Sequence, residues 1–296
     1  MINRIAVKAY AKVNLALDVL GKRDDGYHEV QMVMQGIDLY DLVELEKSGR
    51  CIRLTCNWAE LGTGKDNLAY RAASLLSENY PVVKGVKINL RKKIPLAAGL
   101  GGGSADAAAV LLGLNELFAL GLSIDELKRF AAVLGSDVPF CLRPLTAYAW
   151  GRGEQIVQLP PCPRLWVVLA KPPFGVSTGE VYRRLHSVTV RKRPAVQQLI
   201  AALSEKKTAL MFEHMENVLE YAAFDMHPQL REHLQQMQEM GAAKAMMSGS
   251  GPTLLAFYES EEKARQAASL LAKPGWKLFV ARTLGPEDME ERGVYL

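Results

Sequence analysis

Along the first third of the chain, apolar residues come in short runs broken by charged or glycine-containing turns, the pattern of strands rather than helices. Ile5 to Ala9 and the loosely alternating Val13 to Leu20 predict two strands, and Lys22-Arg23-Asp24-Asp25-Gly26 predicts a turn closed by glycine. Val30 to Leu39, Leu42 to Leu45 and Ile52 to Cys56 predict three more strands. The period then changes. Over Asn67 to Tyr80, Leu68, Ala72, Leu75 and Leu76 fall on one side, predicting an amphipathic helix with Asp66 as its N-cap. A strand at Val86 to Leu90 leads through a glycine loop into a helix of small residues. A second helix opens on Ser123-Ile-Asp-Glu126, where Ser and Glu can satisfy each other's backbone amides, and closes near Gly135. Gly135 to Phe140 follows as a tight polar loop.

Three prolines between Leu159 and Pro163 mark the expected domain boundary. Beyond it, strands are predicted at Leu165 to Ala170, Ala242 to Met247, Thr253 to Tyr258 and Lys277 to Ala281. Helices are predicted at Thr178 to Leu185, Glu216 to Phe224, Pro228 to Met240 and Glu261 to Leu271. Strands grouped early and a mixed second half predict an α+β fold.

Composition narrows the classes. With 296 residues, 49% hydrophobic and 23% charged, the chain can bury a core, which sets aside disorder as its main character. The net charge of +4 is dispersed rather than gathered on one segment, so no nucleic-acid partner is expected, and a modest basic excess suits an anionic small molecule. Cys51, Cys56, Cys141 and Cys162 form no CxxC pair and no His cluster completes a zinc pattern, so buried or half-buried free thiols are expected and no residue is assigned to a metal. No run is long and apolar enough to span a bilayer, and the N-terminus lacks the features of a targeting segment. The expectation is a cytoplasmic protein, monomer or homodimer.

Gly99-Leu100-Gly101-Gly102-Gly103-Ser104 is the most informative stretch. Without Cβ atoms the backbone amides can close on an anion, and the helix that follows points its free N–H groups and positive dipole end at the same place. Ser104 adds a hydroxyl within reach of a phosphate oxygen or a metal-bound water. A glycine turn used only for close packing has the same composition, so the loop alone leaves both readings open. Rossmann spacing would need glycine at position 104, and the P-loop pattern GxxxxGK[ST] is absent.

Further segments resolve the choice. Pro95 to Ala109 resembles the central motif of the GHMP kinases, with extra glycines similar to the branch acting on a cytidine-diphosphate-linked methyltetritol. Ala11-Lys12-Val13-Asn14-Leu15, Asp25-Gly26-Tyr27-His28, Gly135-Ser136-Asp137-Val138-Pro139, Gly151-Arg152-Gly153-Glu154 (expected as a strand) and Met247 to Thr253 are similar to further segments of that family, in the same order. Two positions depart from the pattern. Ala105 stands where a second serine is usual, and Arg143-Pro144-Leu145 replaces a glycine-rich turn.

The resemblance implies a two-domain α+β architecture, with a nucleotide domain over 1–159, a substrate domain over 164–296 and a cleft between them. It implies ATP as donor with Mg²⁺, and 4-diphosphocytidyl-2-C-methyl-D-erythritol as the acceptor alcohol. Asp137 would be the catalytic base and Lys12 its electrostatic partner. Asn14, on the same strand face as Lys12, would orient the lysine or the acceptor. Tyr27 and His28 would hold cytosine, with Tyr182 as its second face. Asn67, Lys92, Pro95 and Gly99 to Ser104 would lie on the nucleotide side. His186, His214, His227 and His233 are expected to be structural or exposed. A kinase of mevalonate, homoserine or a sugar, and a non-catalytic nucleotide-binding regulator, are the alternatives; Tyr27-His28 weighs against the first and the Lys12 and Asp137 pair against the second.

Overall fold

The computed structural model describes residues 2–290 and 292–295. The separate short strands expected near the N-terminus are two long ones, β1 (Arg4–Lys22) and β2 (His28–Lys47), paired antiparallel across the turn at 23–27. Their register slips between Tyr10 and Lys12, between Asn14 and Ala16, and between Val19 and Gly21. Each slip moves later side chains to the other face. This is why the alternation along 13–20 is loose and why the runs read as separate strands.

There follow β3 (Ile52–Cys56), α1 (Leu68–Asn79), β4 (Val86–Arg91), α2 (Gly102–Leu117), α3 (Ile124–Leu134) and α4 (Val138–Leu142). The N-cap of α1 is Asn67 rather than Asp66, its side chain accepting the Ala69 amide. The Ser123–Glu126 capping box of α3 forms as expected. β5 (Ala147–Gly151) and β6 (Gln155–Gln158) make a hairpin, so the residues between Gly151 and Gln155 are its turn rather than a strand. β2 binds two partners along one edge, β5 at residues 30–34 and β4 at residues 42–47, while β3 adds parallel to β4.

The second half contains β7 (Trp166–Lys171), α5 (Thr178–Leu185), α6 (Val196–Ser204), α7 (Thr208–His214), α8 (Leu219–Met226), α9 (Gln229–Glu239), β8 (Lys244–Met247), β9 (Leu254–Tyr258), α10 (Glu261–Leu270), β10 (Lys277–Arg282) and β11 (Gly293–Tyr295). Helices α6 and α7 were not anticipated; at nine and seven residues they are too short for a period to declare itself. The helix expected from residue 216 starts at Leu219, because the Asn217 side chain accepts the Leu219 amide.

Two sheets result. One runs β11-β1-β2-β4-β3 with the β5–β6 hairpin added to β2; the other runs β10-β7-β9-β8. Helix α2 packs against β1 and β2 and is buried on nearly every side, as its run of alanines permits. That packing delivers its N-terminus, and the glycine loop ahead of it, to the seam between the sheets.

Candidate active site

The glycine loop is held by main chain on both flanks. Gly101 is the N-cap of α2 at φ +69° and has no side chain to cap the helix, so the amides of the first turn face outward unpaired. A Cβ on Gly101 would lie 2.9 Å from the Lys12 side chain, and one on Gly99, at φ +71°, would lie 2.3 Å from the Ser248 carbonyl. Both positions therefore require glycine. The Lys12 amide donates to the Leu100 carbonyl at 3.0 Å, and the Ser248 hydroxyl donates to the Gly99 carbonyl at 2.9 Å. The last sequence motif, 247–253, thus closes against the first. It is braced in turn by Asn217, whose amide donates to the Met247 and Gly249 carbonyls at 2.8 Å each. Asn217 was not singled out in the sequence, and no local pattern marks it.

Lys12 is not a solvated lysine on an edge strand. It lies on β1 between β11 and β2, is 5% exposed, and donates to the Asn14 carboxamide oxygen at 2.9 Å. Its Nζ stands 3.4 Å from Oδ2 of Asp137. Asp137 occupies the N-cap position of α4, yet its side chain makes no capping bond. A carboxylate that declines the local amide and turns to a buried lysine is available for chemistry in the cleft.

Lys92 is no solvated charge either. Its ammonium is buried between Asp41 and Asp106 at 2.5 Å each, directly under the loop. Burial pulls the lysine down, but Asp106 and Asp41 outweigh it and hold its pKa above the ordinary value. Burial raises Asp106 to about 7 against the pull of Lys92. Asp41 also accepts the amides of Lys93 and Ile94, fixing the strand that enters Pro95. Lys92, Pro95, Leu68 and the glycine loop line a cavity of about 250 Å³, which adjoins one of about 520 Å³ lined by Trp58, Pro95 and Leu96. Asn67 itself caps α1 and binds the Gly62 carbonyl.

On the other side of the loop, a cavity of about 690 Å³ brings together Lys12, Asp137, Gly99, Gly101, Ser104, Tyr27, His28 and Tyr182. The His28 and Tyr182 rings lie 4.8 Å apart, and the Arg152 guanidinium sits 4.9 Å from the Tyr27 ring centre. His186, expected to be structural or exposed, is exposed and also faces this cavity, with its Nε2 3.0 Å from that of His28. Burial, then His186 and Lys22, lower the His28 pKa, so the imidazole is neutral at physiological pH. Arg152, within the Gly151–Glu154 motif, and Arg183, which no motif announced, also line the cavity and add positive charge. Thr178 and Ser250 join hydroxyls at 2.8 Å across its far wall. Outside the site, Cys51 is exposed rather than buried, being in the turn before β3.

A cavity with outward helix amides on one wall, a buried lysine paired with a part-exposed carboxylate at its floor and aromatic rings opposite can align a phosphoryl donor with an alcohol. Comparison with known proteins agrees. The GHMP kinases N terminal domain matches residues 67–143 and the GHMP kinases C terminal domain matches residues 199–275. The chain belongs to the GHMP kinase family. Within it, a 4-diphosphocytidyl-2-C-methyl-D-erythritol kinase from Brevibacillus brevis is 46% identical over 97% of this chain and 99% of its own. A crystal structure of 4-(cytidine 5'-diphospho)-2C-methyl-D-erythritol kinase aligns with TM-score 0.80 at 35% identity, covering 95% of this chain and 99% of that one. A homoserine kinase from Cytophaga hutchinsonii shares the fold with TM-score 0.76 at 22% identity, covering 95% of each chain.

Proposed function

We propose that the protein transfers the γ-phosphate of ATP to the 2-hydroxyl of 4-diphosphocytidyl-2-C-methyl-D-erythritol, giving the 2-phosphate and ADP, a step of non-mevalonate isoprenoid precursor synthesis. The observation that carries this reading is the 690 Å³ cavity in which the Lys12–Asp137 pair and the Tyr27, His28 and Tyr182 rings share one space. Relatives bearing that name over nearly the whole chain support it.

In this reading Asp137 accepts the hydroxyl proton as the new P–O bond forms. Lys12, held by Asn14, keeps the carboxylate ionised and offsets charge on the transferred group. The α2 amides and Ser104 receive phosphate oxygens. Neutral His28 and the Tyr27 and Tyr182 rings receive the cytosine. The small cavity behind the loop, toward Trp58, receives the rest of the nucleotide. Among the described residues no three His, Cys, Asp or Glu side chains cluster to cage an ion. A Mg²⁺ carried in on the triphosphate would have the Ser104 hydroxyl beside it and would supply neutralisation of phosphate charge. The proline cluster at 160–163 is the proposed boundary, supported by the division of β1–β6 and β7–β10 between two sheets, with β11 returning to the first. Among the described residues no helix is long and apolar enough to cross a membrane, and a cytoplasmic location is part of the proposal.

The test is ADP release from Mg-ATP with the alcohol offered separately as 4-diphosphocytidyl-2-C-methyl-D-erythritol, mevalonate, homoserine or galactose. Turnover confined to the cytidyl alcohol is expected. Turnover on another alcohol would keep the fold and overturn the cytosine pocket, and ATP binding without turnover on any would favour a regulator.

A further inference from the structure

The chain's last described segment returns to the catalytic floor from outside both matched family regions. Arg292, just ahead of β11, is 7% exposed, and among the described residues no carboxylate pairs with its guanidinium. Its three recorded acceptors are carbonyls. Nη1 donates to Leu142 and Nη2 to Cys141 at 2.6 Å, the last two carbonyls of α4. Nε donates to Lys8 at 3.2 Å on β1, and the Lys8 amide returns a bond to the Arg292 carbonyl at 2.9 Å.

These acceptors are not arbitrary. Carbonyls at a helix end have no intrahelical donor and carry the negative end of the helix dipole, so a guanidinium there meets both needs at once. Asp137 stands at the opposite end of this one-turn helix, and Lys12 lies four residues along β1 from Lys8. One side chain therefore grips both elements that carry the reacting pair. Burial lowers the Arg292 pKa to about 10, which leaves it charged at neutral pH. A buried cation satisfied only by carbonyls is costly to keep unless the geometry it fixes is needed.

We infer that Arg292 is a positioning residue for phosphoryl transfer, setting the distance between Asp137 and Lys12 by clamping the C-terminal end of α4 to β1. The inference rests on Asp137 acting as base. A displacement of about 1 Å at a reacting group can cost on the order of a hundredfold in rate, whereas ATP and the cytidyl group bind to other elements. The expected signature is thus a loss in kcat with little change in KM.

The experiment compares the full chain with R292M, R292K, D137N and the D137N/R292M double variant, measuring kcat, both KM values and thermal midpoint. R292M is expected to lower kcat about tenfold or more with each KM within about threefold, and R292K, which keeps one donor to a carbonyl, to recover part of the loss. In the D137N background, R292M should lower single-turnover rate by less than about twofold, because the group it positions is already gone. A folded R292M with the parental kcat would overturn the inference, as would an R292M loss that persists undiminished beside D137N. Should R292M fail to fold, R292Q, which removes the charge with a smaller change, takes its place in the same comparisons. Near-normal turnover of D137N would instead remove the base assignment on which the inference rests, a separate result.

Discussion

The two walls of the cleft are built by different means. The phosphate wall is main chain: outward amides of α2, glycines at positive φ, and carbonyls caught by Ser248 and Asn217, with the ions of Asp41, Lys92 and Asp106 buried beneath. The wall proposed for cytosine is side chain: Tyr27, 53% exposed in a turn, His28, Tyr182, His186 and the arginines at 152 and 183. A homoserine kinase at 22% identity shares the fold. A change on the buried main chain of the first wall disturbs packing on every side, whereas a change at an exposed side chain such as Tyr27 disturbs little else.

The sharpest break of that comparison is at the floor between the walls. Asp137→Asn keeps the shape and removes the proton acceptor, and kcat should fall by about 10²–10⁴ while ATP binding, followed by titration calorimetry, is retained. Equal loss of ATP affinity would assign Asp137 to the phosphate wall instead. Next is Lys92→Met, which leaves two carboxylates facing each other under the loop. It should destabilise the fold by about 3–5 kcal/mol, measured by urea unfolding. A loss under about 1 kcal/mol, in the range of an exposed ion pair, would mean the buried triad holds nothing.

What could be read ahead of the structure follows the same division. The glycine loop stands out by its own composition, whereas Lys12, Asn14 and Asp137 are legible only through the resemblance of their segments to family motifs, each a short local stretch. Lys92 declared a positive charge, but its partner Asp41 lies 51 residues away, and only the pairing of β2 with β4 brings the two together. His186 and Arg183 were passed over because a histidine or arginine on a short amphipathic helix looks the same whether its helix faces solvent or a cleft. The bulged register of β1 hid one strand as two. Arg292 lies at the far end of the chain, and no spacing relates it to Lys8 or Leu142.

On the cytosine wall, Tyr27→Ala should raise KM for the cytidyl alcohol by about tenfold, the scale of one lost base–aromatic stack, while KM for ATP stays within about twofold. A rise in both would mean that the two walls move together and are not separate devices.

The smallest effect probes how far the rigid wall extends. Glu220 is half-buried on α8 and accepts the Met247 amide at 2.7 Å, bracing the loop that closes on Gly99. Burial raises its pKa from 4.5 to about 7. The folded state then holds a proton that the unfolded chain releases above about 4.5, so folding binds protons between those values. Its contribution is fully present below the unfolded pKa and is lost as pH rises toward and through 7. Glu220→Gln keeps an acceptor for Met247 without the ionisation, so the difference in thermal midpoint between variant and parent should widen in favour of the variant from pH 5 to pH 8. Other carboxylates contribute equally to both proteins and cancel in that difference. A constant difference would mean that Glu220 ionises freely, and that the brace under the 247–253 loop is open to water as the cytosine wall is, rather than sealed like the triad under the first.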